Sequence, residues 1–133
     1  MPLWVSSLVA NAQPPGAQET EREREFVEAL RREDPAEADR FVALSDARAQ
    51  AIAELRRAEG QYAAAGPELR SAFAASLRGA QRKYAEASLA LLDFFDARER
   101  RALACYQEEI QRIQKLLEDR QRTRAELQKL LAP

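Results

Sequence analysis

From Pro67 to Leu131 apolar residues recur at steps of three and four, with no internal proline and one glycine, Gly79. That rhythm predicts a single helix over 67–131. Its first half carries Leu69, Phe73, Leu77, Ala80, Tyr84, Ala87, Leu91 and Phe94 or Phe95. A phase shift follows near Arg98. The stripe then resumes through Ala102, Tyr106, Ile110, Ile113, Leu117, Leu127 and Leu131, with Arg124 as a polar insertion. Glu108 to Arg112 and Glu118 to Arg122 stand four apart in the favourable order for exposed ion pairs.

Two shorter amphipathic segments precede it. Over 20–33, Phe26, Val27 and Leu30 share one side, and Glu28 is spaced to meet Arg31 and Arg32. Asp34-Pro35 punctuates the chain: Asp caps a helix, Pro suits its first position, and Glu37 falls where a capping box places its acid. A second helix is therefore predicted over 35–64, with Phe41, Leu44, Ala47, Ala51, Leu55, Ala58 and Tyr62 as its stripe. Gly66-Pro67 closes that helix and opens the next, the signature of a helical hairpin. Tyr62, Tyr84 and Tyr106 stand 22 residues apart, and LRRAEGQYAAA at Leu55 resembles LRGAQRKYAEA at Leu77. Composition bias alone can generate such a match.

The expectation is an all-α protein: an elongated antiparallel helical hairpin or coiled coil with one very long carboxyl-terminal helix and a short amino-terminal one. Residues 20–133 form one helical domain and 13–19 a flexible linker. Length then becomes the difficulty. At 1.5 Å per residue the third helix would span roughly 97 Å, whereas the second offers about 45 Å of cover. Even with the first helix stacked end to end on the second across Pro35, cover stops near residue 111. Two remedies exist: self-association through the far half, or a break at Asp96, where Asp96-Ala97-Arg98-Glu99 resembles a capping box. The unbroken helix is the expectation, because no glycine or proline marks the join.

Composition narrows the chemistry. The chain has 133 residues, 46% of them hydrophobic but only 7% aromatic. Much of the apolar content is alanine, so the core must be thin. A formal charge of −1 argues against a nucleic-acid partner. There is no histidine and a single cysteine, Cys105, so metal clusters and hydrolytic triads lack their usual groups. Cys105 reads as a small residue beside the seam, or as a bridge between two chains in an oxidising compartment. Glu108 and Glu109 diverge by roughly 100° on a helix and form no catalytic pair. No catalytic, cofactor or metal residues are assigned.

Pro2 to Val9 is apolar and is followed by Ala10-Asn11-Ala12, which fits a signal-peptide remnant over 1–12 with cleavage before Gln13. The basic leading segment of such signals is missing, and a plain tail is the alternative. No stretch reaches the length of a membrane span. The expectation is a non-enzymatic helical interaction, scaffold or chaperone-like protein, exported to a bacterial cell envelope, periplasmic or secreted. It would pair with a protein partner or a second copy through Ala102, Tyr106, Ile110, Ile113, Leu117, Leu127 and Leu131. The alternatives are an amphipathic lipid-surface binder and, without a leader, a cytoplasmic coiled-coil adaptor.

Overall fold

The computed structural model describes residues 17–133, and they form three helices: α1 (Ala17–Glu33), α2 (Pro35–Ala64) and α3 (Arg70–Leu131). No strand occurs among the described residues, so the fold is all-α. The signal-remnant reading of 1–12 lies outside them. Part of the segment read as linker is helical, since α1 begins at Ala17. Ala, Gln and Glu at 17–19 are good helix formers, which fits a helix that includes them.

The chain divides into two units, Met1–Phe94 and Phe95–Pro133. In the first, the helices turn on two short connections. Asp34 sits in extended backbone (φ −150°, ψ 97°), and its side chain accepts a hydrogen bond from the Glu37 amide at 3.2 Å. Its own amide donates to the Leu30 carbonyl at 2.7 Å, so this residue ends α1 and caps α2. The result is a reversal rather than an end-to-end stack. Ser45 Oγ donates to Glu23 at 2.6 Å, the Phe26 and Phe41 rings meet edge to face at 4.9 Å, and Arg31 pairs with Asp39 at 2.9 Å. Residue numbers fall along α1 as they rise along α2, which makes the pair antiparallel.

The second connection also differs from expectation. The Gly66 carbonyl accepts from both Leu69 and Arg70 amides, at 3.2 and 3.1 Å, so Pro67 to Leu69 form a tight turn and regular α-helix starts at Arg70 rather than at 67. Between α2 and α3, Phe41 meets Phe94 (5.7 Å between centroids), Glu54 pairs with Lys83 at 3.2 Å, and the Arg48 guanidinium lies 5.7 Å over the Tyr84 ring. This pair is antiparallel as well.

The core of this unit is narrow, as an alanine-rich sequence requires. Leu30 is 2% exposed and Ala38 is fully enclosed. Ala51, Leu55 and Ala58 of α2 pack on Ala80 and Tyr84 of α3, with Ile52, Leu77 and Ala87 at the margin. Small side chains let the backbones approach, and each contributes little burial. The predicted stripe on α2 needs two amendments. Ala47 is exposed, because the buried side steps from Leu44 and Ser45 to Arg48, whose guanidinium is occupied by Tyr84. Ala38, absent from the predicted stripe, lies three residues before Phe41 and is wholly buried.

Secondary structure is unbroken through Asp96, so the proposed break does not occur. Space around Gly79 is open, with nothing within 4 Å of where a Cβ would sit. Replacing Gly79 by Ala should therefore raise stability by about 0.5–1 kcal/mol through helix propensity alone. Phe41→Ala, which empties the ring cluster, should cost about 3–5 kcal/mol. Urea unfolding followed by circular dichroism tests both; a destabilised Gly79→Ala would mean that a close contact is made there.

Candidate interaction surface

The second unit is helical from Phe95 to Leu131. From Leu103 onward every residue is exposed. The predicted partner residues all lie on this helix. Tyr106 (70% exposed), Ile110, Ile113, Leu117, Leu127 and Leu131 (85%) are open to solvent, and Ala102 is half-buried. A helix fixes its backbone bonds locally, but these side chains gain nothing from water. Large exposed apolar faces are a recurring feature of association surfaces in proteins generally.

The spacing is stricter than a loose three-four alternation. Counting Leu103, Tyr106, Ile110, Ile113, Leu117, Arg120, Arg124, Leu127 and Leu131, the steps are 3, 4, 3, 4, 3, 4, 3 and 4. This is a heptad seam with Leu103, Ile110, Leu117, Arg124 and Leu131 at a, and Tyr106, Ile113, Arg120 and Leu127 at d. Ala102 belongs beside the seam at g, and Leu103 takes its place within it. The sequence reading missed Leu103 and Arg120; a strict seven-residue count would have found both.

The flanks are distinct. Position e is glutamine at each of Gln107, Gln114, Gln121 and Gln128. Position g holds Ala102, Glu109, Leu116, Thr123 and Leu130, so the apolar face is broadened on that side only. Arg120 and Arg124 sit side by side in the seam, near its far end.

Arg112 and Arg122 pair at three-residue rather than four-residue spacing. Arg112 engages Glu109 with two nitrogens, Nε at 3.0 Å, and Arg122 meets Asp119 at 2.7 Å. The expected partners Glu108 and Glu118 are thus displaced by the next acid along. The planar guanidinium fork favours the bidentate geometry that Glu109 presents. The hydrogen bond from Arg112, aided by its charge, holds the Glu109 carboxyl below its ordinary value of 4.5. Cys105 is exposed at position c, outside the seam.

Among the described residues no group of three or more His, Cys, Asp or Glu side chains could hold a metal ion, and no helix is long and apolar enough to cross a membrane. Comparison with protein-family models, curated proteins and solved structures finds no match to this chain.

Because the Glu109 carboxyl is held below its ordinary value of 4.5 in the folded state, its ion pair supports the helix above about pH 4.5 and that support is lost as pH falls through the lowered value. Glu109→Gln should therefore show a shallower loss of helicity on acidification than the parent. Identical acid titrations by circular dichroism would remove this ion pair from the account.

Proposed function

We propose that the protein is a non-enzymatic helical interaction protein, which self-associates through the heptad face of its carboxyl-terminal unit and acts as a scaffold or chaperone-like component of a bacterial cell envelope. The observation that carries this reading is a four-heptad apolar seam left open to solvent along 103–131. Leu103, Ile110, Ile113, Leu117 and Leu127, each close to half exposed, would recover on the order of 1 kcal/mol apiece if covered. Pairing of two such faces supplies that cover without any further chemistry. The cell-envelope location is supported by the apolar Pro2 to Val9 segment and the Ala10-Asn11-Ala12 that follows it.

Reversible binding to a lipid surface is the second reading, favoured by the same exposed leucines. Arg120 and Arg124 weigh against it, because they occupy the middle of the apolar face and would be carried into the acyl boundary. The polar face sets Lys115, Arg122 and Lys129 among Glu108, Glu118, Asp119 and Glu126, a mixture of signs unlike the basic polar face of most surface-binding helices.

Light scattering on the purified chain should give twice the monomer mass. Leu117→Lys, at the centre of the seam, should weaken association at least about tenfold while leaving helicity of the first unit intact. A monomeric parent whose helicity rises on adding anionic vesicles would instead favour the lipid reading. Recovery from the periplasm with Gln13 at the amino terminus checks the location.

A further inference from the structure

Resting on the self-association reading, we infer that the occupant of the heptad face is a second copy of the same helix running antiparallel, in the one register that centres the pair on residue 115. The seam is not symmetric along its length, and that asymmetry is what selects the arrangement. Tyr106 and Ile110 lie toward one end and Arg120 and Arg124 toward the other. A parallel pair in register would stack Arg120 on its counterpart and, in the next layer, Arg124 on its counterpart. Four guanidinium groups would then crowd two adjacent layers with no acid in the seam, and like charges juxtaposed in an interface are costly.

Reversal removes the clash. In an antiparallel pair each a residue faces a d residue, and residues whose numbers sum to 230 meet. Leu103 then faces Leu127, Tyr106 faces Arg124, Ile110 faces Arg120, and Ile113 faces Leu117, each contact occurring twice about the dyad, while Leu131 falls opposite Glu99 at the end of the overlap. Arg124 is set against an aromatic ring and the long Arg120 stem against isoleucine, with both charged heads free to reach the edge. The first unit already uses the same contact between antiparallel helices, with Arg48 over Tyr84. Tyr106 is the tyrosine of the 22-residue series whose ring stands open, at 70% exposure.

The flanks decide the register independently. A dyad perpendicular to the helices brings g against g and e against e. In this register Leu116 meets its own counterpart, Ala102 meets Leu130, and Glu109 meets Thr123; on the other side Gln114 meets its counterpart and Gln107 meets Gln121. On the g side apolar residues thus meet apolar ones and the acid meets a hydroxyl, and on the e side amide faces amide. Sliding one copy by a heptad sets Glu109 against Leu116 in one direction and against Leu130 in the other. A parallel pair sets Leu116 against Gln121. Cys105 would lie on the outside, roughly 30 Å along the axis from its counterpart, so no disulfide between the two native cysteines belongs to this assembly.

The test uses the full chain carrying Cys105→Ala, in two versions: one with Leu103→Cys, the other with Leu127→Cys. Mixed as reduced chains and oxidised in a glutathione buffer, they are expected to yield mainly the mixed disulfide, read by mass spectrometry of the dimer. Circular dichroism of each reduced variant should match the parent, so that loss of fold is detected separately. A dimeric mass with the Leu127→Cys chains linked to one another, or with no link of either kind, overturns the antiparallel register while self-association stands. A monomeric mass for the unsubstituted chain at the same concentration overturns both.

Discussion

Phe41 holds the first unit together. Its ring is met edge to face by Phe26 of α1 and, at a tilt, by Phe94 of α3, so one side chain of α2 touches both neighbouring helices. In a sequence with few aromatics this contact has unusual weight, because the alanines around it fill space without removing much surface from water. Its position depends on Asp34. By ending one helix and capping the next within a single residue, Asp34 fixes how α1 returns along α2 and therefore where Phe26 arrives.

The two units satisfy the helix in different ways. Residues 17–94 have tertiary partners: rings, an alanine-lined seam, and ion pairs between helices such as Glu54 with Lys83. From Leu103 onward the helix has backbone bonds and short-range pairs such as Glu109 with Arg112 and Asp119 with Arg122. Local pairs of that kind contribute a few tenths of a kcal/mol each when exposed. Most helical stability in proteins comes from burial of an amphipathic face. A helix whose heptad positions stay exposed along 103–131 draws little on that source, and this is the physical support for the proposed pairing.

Much of the architecture was legible in the residues. Asp34-Pro35 and Gly66-Pro67 marked both connections, because capping and proline restrictions act within a few residues. Phe41, Leu55, Ala58, Ala80 and Tyr84 fell on the predicted stripes for the same reason. What sequence could not supply was the fold-back of α1, which depends on the φ and ψ of one residue, and the choice of Arg48 over Ala47 on the buried side of α2. Reading arginine as solvent-facing hid both Arg48 and Arg120. The seven candidate residues were found by periodicity, yet Ala102 was taken for a seam position that spacing gives to Leu103.

The uninterrupted glutamines at e have a consequence of their own. An amide donates and accepts hydrogen bonds without carrying charge, so this flank has no ion pairs for dissolved ions to screen, in contrast with the Glu–Lys flanks common in coiled coils. Contact made along it would persist from dilute to brackish surroundings. Any pairing along that flank would therefore respond little to ionic strength, and salt would act chiefly on Arg120 and Arg124 within the seam.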